Sequence, residues 1–227
     1  MKNFDVAIDG PSGAGKSSLA RRCAAELGLL YVDTGAIYRT VGLAAWRRGL
    51  DCKDEQAVAS ILPELDIRLG YVDGEQRMFL NGEDVSGEIR MPEISMCASD
   101  VSAHAAVRDF LMEMQRKLAR ENRVIMDGRD IGTMVLPEAR LKIYLTASPE
   151  ARAQRRMKEL VAKGVETSFE EVLQDIIRRD EQDMNREVAP LRRAEDAVLV
   201  DTTEIDFEGS FQLLCSIIRE RMAEEEA

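Results

Sequence analysis

The sequence predicts an α/β protein with a parallel five-stranded core sheet flanked by helices, a small antiparallel β insertion and a helical lid. Three observations carry that expectation. Short apolar runs alternate with amphipathic helical runs, the order that builds a parallel sheet from strand–helix–strand units. The first such unit encloses Gly10-Pro11-Ser12-Gly13-Ala14-Gly15-Lys16-Ser17, a complete G-x-x-x-x-G-K-[ST] pattern. Between residues 64 and 88 the period changes to strict alternation, with Asp73-Gly74 and Asn81-Gly82 as hairpin turns.

The elements follow in order. Phe4–Ile8 reads as the first strand, Ser17–Leu27 as a helix closed by Gly28, and Leu29–Asp33 as the second strand, with Thr34-Gly35 as a turn. A helix over Ala36–Arg48 ends at Gly49, and a shorter one over Glu55–Leu62 stops at Pro63. The meander comes next: it extends one wall of a second-substrate pocket, or it is a purely structural flap. Pro92–Val101 and Ala105–Arg120 read as helices broken near His104, which is expected to be an exposed loop residue. Arg123–Met126 is a core strand ending in Asp127-Gly128-Arg129-Asp130, and Leu141–Leu145 is another. Ser148-Pro149 opens a helix ended by Lys163-Gly164, Ser168-Phe169-Glu170-Glu171 is a capping box for the next, and Ala197–Asp201 and Phe207–Met222 are the last strand and helix. Glu224-Glu225-Glu226 reads as a solvated acidic end.

Composition narrows the function. With 227 residues the chain suits a single domain, 1–227, and 32% charged residues argue against disorder. No run approaches the ~18 apolar residues of a membrane span, and Met1-Lys2-Asn3 leads straight into a strand, so no signal peptide is expected. A net charge of −11 makes a poor general binder of nucleic acid. Against that background the arginine clusters around 152–156, 178–179 and 186–193 suit a small phosphorylated ligand, though a solvated helix face gives the same pattern. Cys23, Cys52, Cys97 and Cys215 stand apart in sequence without a C-x-x-C pair, and with one histidine they offer no zinc site. Such thiols fit a reducing cytoplasm.

The glycine-rich loop has a direct chemical meaning. Its glycines let backbone N–H groups of Gly10, Pro11, Ser12, Gly13, Ala14, Gly15, Lys16, Ser17 and Ser18 form a cradle for phosphate, proline itself contributing only shape. Lys16 brings a cation to the β- and γ-phosphates, and Ser17 offers a hydroxyl to Mg²⁺, directly or through water. The strand–loop–helix order adds the helix dipole. A nucleoside triphosphate site follows. Asp33-Thr34-Gly35 and Asp127–Asp130 fall at the same carboxyl edge, where open α/β sheets bind ligands. Arg39, near a helix N-terminus, opposes the dipole and calls for an anionic partner. Arg129 reads as a substrate clamp oriented by its flanking carboxylates. Arg152, Arg155 and Arg156 share one helix face, as do Arg179, Asp183 and Arg186, so the two helices look like a phosphate lid.

Five blocks together are more specific: Gly10–Ser18, Asp33–Arg39, Gly82–Arg90, Asp127–Thr133 and Asn185–Leu191. In this order they resemble the bacterial cytidylate kinases, nucleoside monophosphate kinases of the P-loop class, over essentially the whole chain. The resemblance implies the three-layer P-loop kinase fold and transfer of the ATP γ-phosphoryl to CMP or dCMP with Mg²⁺, by a cytoplasmic monomer. It implies a monophosphate-binding region over 34–120 that includes the insertion at 64–88, and a lid over 148–168. Thr34 then lies beside the pyrimidine, Tyr38 joins the CMP site, and Ser99, Arg108 and Asp130 read the base. Arg39 and Arg129 clamp the acceptor phosphate, Arg179 and Asp183 contact the sugar, and Arg186 joins the phosphate site. Lys16, Arg129, Arg155, Arg156 and Arg186 form the catalytic set. Two other readings share the loop: a P-loop kinase for AMP, UMP or a small alcohol, and a nucleotide-triggered switch.

Overall fold

The computed structural model describes residues 4–162 and 164–226. Met1, Lys2, Asn3, Lys163 and Ala227 lie outside the described residues, so the expected lead-in at the N-terminus and half of the 163–164 helix stop fall there. The chain divides into two compact units, residues 1–31 with 119–227, and residues 32–118.

The first unit carries the sheet core. β1 (Asp5–Asp9), β2 (Leu30–Asp33), β6 (Val124–Gly128), β7 (Leu141–Thr146) and β8 (Val198–Asp201) are ordered β2-β6-β1-β7-β8 among the described residues. β1 runs parallel to β6 with Asp9 opposite Gly128, and parallel to β7 with Asp9 opposite Tyr144. That register brings the ends of β1 and β6 to one edge, so the loops following residues 9 and 128 leave the sheet together. Val6, Ile8, Ile125, Ile143 and Leu145 are buried in one apolar cluster with Leu19 and Cys23 of helix α1 (Lys16–Leu27) and Leu214 and Ile218 of α8 (Phe207–Glu226). α6 (Pro149–Ala162) and α7 (Phe169–Asn185) bury a smaller apolar cluster of their own, Ala153, Val172 and Ile176 with Leu160, Phe169 and Leu173. The Ser168 capping box is present, its hydroxyl accepting from the Glu171 N–H at 3.2 Å.

The second unit packs α2 (Thr34–Arg47) against α4 (Pro92–Val101), with α3 (Glu55–Ile61) and all but the last turn of α5 (Ala105–Glu121) in the same unit. The insertion is β3 (Ile67–Val72), β4 (Glu75–Leu80) and β5 (Glu83–Asp84), an antiparallel meander. Both of its turns have positive φ at their two central residues, 52° and 77° at Asp73-Gly74 and 50° and 86° at Asn81-Gly82. Those angles match the right-handed twist of the flanking strands. Arg47, at the end of α2, donates to both oxygens of Glu83 (2.7 and 2.9 Å) and also to Glu88.

Several expectations need correction. Thr34-Gly35 is not a turn: Asp33 caps α2, accepting the Ala36 N–H at 2.9 Å, so the helix begins at Thr34. α7 stops at Asn185, which leaves Arg186 at its cap rather than on its face. α8 continues through the acidic end, where Glu224 and Glu225 meet Arg221 and Arg140. His104 is buried, its Nε2 2.8 Å from the Cys52 carbonyl oxygen. The cysteines, apart in sequence, are not apart in space. Cys215 Sγ lies 3.1 Å from Cys23 Sγ inside the core, and Cys52 and Cys97 are hydrogen-bonded neighbours. No helix among the described residues is long and apolar enough to cross a membrane.

Candidate active site

The loop after β1 is built as the motif requires. Gly10 has φ 150°, and a Cβ there would sit 1.9 Å from the Leu145 carbonyl oxygen of β7, so no side chain fits. Gly13 and Gly15 follow with φ of 74° and 88°. Gly15 caps α1 without a side-chain hydrogen bond, which leaves the first helical N–H groups to meet an anion. Lys16 is buried and its Nζ donates to the Pro11 carbonyl at 2.8 Å, across the loop. Burial, reinforced by the nearby Arg129 charge, pulls the Lys16 ammonium down to about 7, while Asp127, Asp183 and Asp9 oppose the shift. A triphosphate would restore its full charge.

Behind the loop stands a carboxylate. Ser17 Oγ donates to Asp127 Oδ2 at 2.8 Å, and the Tyr31 hydroxyl donates to Oδ1 at 2.9 Å. Ser17 and Asp127 therefore place a hydroxyl and a carboxylate together. These are hard oxygen donors of the kind Mg²⁺ takes, one or two of which suffice when phosphate oxygens and water complete the shell. Among the described residues no group of three or more His, Cys, Asp or Glu forms a dedicated metal cage, and such a site does not need one.

The segment after β6 is held from the other side. Both oxygens of Asp9 accept backbone N–H groups, from Ile131 and Gly132, at 2.7 Å each, and so fix the π-turn Ile131–Val135. Burial pushes the Asp9 carboxyl up to about 6 despite those bonds, with Asp130 adding to the rise and Lys16 opposing it. Arg129 donates through Nε to Asp183 Oδ2 at 2.7 Å. Burial would raise Asp183, but Arg129 first, then Arg179 and Arg186, hold it below the usual carboxylate range. Arg186 donates to the Ala189 carbonyl (2.6 Å) and lies 3.5 Å from Asp130 Oδ1. Ala189 has φ 47° immediately before Pro190, a strained conformation for alanine, and Leu191 N–H returns to the Asp183 carbonyl at 2.8 Å.

α6 is tied to α7 and to the glycine-rich loop through Arg152. Arg152, 3% exposed, donates to both oxygens of Asp180 on α7 (3.1 and 2.5 Å) and to the Ser12 carbonyl of the loop at 2.9 Å. Arg155 donates to the Thr202 hydroxyl and carbonyl (3.1 and 2.5 Å), and Arg156, exposed, to Glu159 at 3.0 Å.

In the second unit, Asp33 Oδ2 accepts from Arg39 Nη2 at 2.8 Å while Oδ1 caps the helix. The anionic partner expected of Arg39 is thus Asp33. The Arg39 Nε–H is buried and has no acceptor among the described residues, an unusual state for a charged donor. Thr34 is buried in the first turn of α2. Arg108 is buried too, over the Tyr38 ring (5.7 Å) and donating to the Ser102 carbonyl at 3.2 Å. Ser99, half-buried on α4, accepts at its carbonyl from the Ser102 hydroxyl at 2.8 Å.

A family model described as cytidylate kinase matches residues 6–220. The chain belongs to the cytidylate kinase family. It is 50% identical over 212 residues to the cytidylate kinase of Caldicellulosiruptor bescii, covering 93% of this chain and 94% of that one. It is 49% identical over 216 residues to the cytidylate kinase of Geobacter sulfurreducens, covering 95% and 93%. Among solved structures, an uncharacterized protein from Eubacterium ventriosum superposes with a TM-score of 0.53 at 10% identity, over 95% of this chain and 98% of that one, a likeness of fold alone.

For this member of the cytidylate kinase family, sequence reasoning located the loop and the arginines but missed their partners. Arg129 is oriented by Asp183, not by the flanking Asp127 and Asp130, which serve Ser17 with Tyr31, and Arg186. Asp9 and Asp180 were missed altogether. The signal for Asp9 was its place at the end of β1 directly before the loop; Asp180 carried none.

Proposed function

We propose that the chain transfers the γ-phosphoryl group of ATP to CMP or dCMP, giving CDP or dCDP and ADP, as a cytoplasmic, monomeric enzyme of pyrimidine nucleotide metabolism. Lys16 carries the phosphoryl-transfer reading. It is a buried cation at the base of a loop whose glycine angles and uncapped helix start leave backbone donors for phosphate. Family membership, and relatives named cytidylate kinase at about half identity, support the acceptor; so does the partnerless Nε–H of Arg39.

In this reading Gly10–Ser18 bind ATP. When bound, Mg²⁺ offsets charge on the β- and γ-phosphates, and Ser17, directly or through water with Asp127 behind it, would hold it. A phosphate oxygen of CMP is the nucleophile and the bridging oxygen leaves with ADP, so no side-chain base is required. The protein's task is to position both partners and to oppose the charge spreading over the equatorial oxygens. Lys16, Arg129 and Arg186 do so from the core. Arg155 and Arg156 join from a lid over 148–168 by exchanging Thr202 and Glu159 for phosphate. Region 34–120 binds the monophosphate: Arg39 takes its phosphate, while Thr34, Tyr38, Ser99 and Arg108 take the base. Asp130 adds to base reading, and Arg179 and Asp183 to the sugar. A site built to pair with cytosine's amino group leaves buried polar atoms unpaired with UMP, which discriminates strongly.

The test is ADP production from Mg-ATP with each nucleoside monophosphate in turn. Rapid turnover with CMP and dCMP, and not with AMP, GMP or UMP, is expected. A different preferred monophosphate would overturn the base-reading residues, and ADP release that needs no acceptor would favour a switch.

A further inference from the structure

We propose that Gln76, on the β insertion, is a positioning residue for Arg39 and so for the acceptor phosphate; the proposal deepens the kinase reading above and rests on it. Gln76 sits half-buried on β4. Its Oε1 accepts the Asp33 N–H at 2.8 Å, and its Nε2 donates to the Asp33 carbonyl at 3.2 Å. One side-chain amide thus takes both backbone groups of Asp33, as a neighbouring strand would. Asp33 in turn spends both carboxylate oxygens locally, Oδ1 on the Ala36 N–H and Oδ2 on Arg39 Nη2. With its backbone pinned by Gln76 and its carboxylate committed to the cap, Asp33 has little freedom, and Arg39 inherits that rigidity. Space is tight as well: a Cβ on Gly35 would lie 3.1 Å from Asp33 Oδ1 and 3.2 Å from Arg39 Nη1.

Gln76 is not what docks the insertion. Arg47 already ties α2 to Glu83 and Glu88, Ser86 Oγ accepts the Met78 N–H at 2.9 Å, and Met78, Val85 and Ile89 are buried. The Arg47 ion pairs and the buried apolar residues remain when Gln76 is replaced. The amide's contribution is the aim of Asp33, and through it the direction in which Arg39 presents its unpartnered Nε–H.

The test uses full-length enzyme carrying Gln76→Leu, Arg39→Ala and both. Gln76→Leu is expected to raise KM for CMP about tenfold with KM for Mg-ATP unchanged, as for a misaimed charge-assisted hydrogen bond. The double variant is expected to be no worse than Arg39→Ala alone. Losses that multiply in the double variant overturn the proposal, because a purely structural Gln76 would act independently of Arg39. Gln76→Glu keeps the acceptor but turns a carboxylate on the Asp33 carbonyl, and is expected to match Gln76→Leu. A second readout needs no turnover: the Arg39 Nε–H resonance, identified by its loss in Arg39→Ala, is expected to shift in Gln76→Leu. An unmoved resonance overturns the positioning role, whereas failure of the wild type to phosphorylate CMP overturns the kinase reading instead.

Discussion

The two arginines assigned to the acceptor phosphate are built in opposite ways. Arg39 pairs with Asp33, six residues away at the N-cap of the same helix, and the side chains are 26% and 18% exposed. Arg129 pairs with Asp183, 54 residues away, and the carboxylate is 8% exposed among further charges from Lys16, Asp127 and Arg186. The contacts are nearly the same length, 2.8 and 2.7 Å. The first pair is a local device that the chain assembles as soon as α2 forms. The second exists only once β6 and α7 have come together, so it binds fold and chemistry into one arrangement.

That contrast predicts a ranking. Arg129→Ala removes the proposed clamp and strands a buried carboxylate, so kcat is expected to fall about hundredfold and stability by about 3–5 kcal/mol, read from steady-state kinetics and chemical denaturation. Arg39→Ala is expected to lower kcat/KM for CMP by at least about tenfold, with a stability change below ~1 kcal/mol, since its pair is partly solvated. Equal destabilisation by the two variants would falsify the comparison. Asp33→Ala falls between local and global roles: loss of the cap costs about 1 kcal/mol, and KM for CMP is expected to rise with KM for Mg-ATP unchanged. Smallest is Arg156→Ala, whose exposed pair contributes at most about 1 kcal/mol; its loss in kcat is expected to be less than that of Arg155→Ala.

Protonation sharpens the same contrast, because Lys16 and Asp9, near Arg129, are charged groups shifted by burial. Lys16, drawn down to about 7 from 10.5, binds fewer protons folded than unfolded between those values, so its contribution to stability rises with pH through that window. Asp9, raised from 3.8 to about 6, has the reverse sign: its contribution falls as pH rises from 3.8 to 6 and stays low above. A nucleotide triphosphate that recharges Lys16 is expected to draw in up to about one proton on binding at pH 8. Calorimetry in buffers of different ionisation heat measures that uptake, and equal heats in all buffers would remove Lys16 from the triphosphate site.

Much of the fold was legible because its cues are local. The alternation of runs gave the sheet, Asp73-Gly74 and Asn81-Gly82 marked the hairpins, and Ser168 with Glu171 marked a helix start. The glycine-lysine loop, proposed as the donor site, was legible for the same reason. What stayed hidden were pairs made by folding itself: Ser17 with Asp127, Asp9 with Ile131 and Gly132, Arg152 with Asp180, Cys23 with Cys215. The error over Arg129 has a physical cause. Asp127 is already engaged by Ser17 and Tyr31, and Asp130 faces Arg186, so nearness in sequence did not make them its partners. The error at Thr34-Gly35 came from reading glycine as a turn where the Asp33 cap decides instead.

The closeness of Gly10 to Leu145 bears on how this chain can vary. The atom that a side chain would strike is a backbone oxygen of the adjoining strand, which cannot swing aside as a side chain can. Accommodating even a methyl group means parting β1 from β7. A library randomised at position 10 and screened only for soluble, folded protein, with no nucleotide in the medium, should therefore return glycine alone. The loop's first residue is closed to drift by the sheet before catalysis exerts any selection on it.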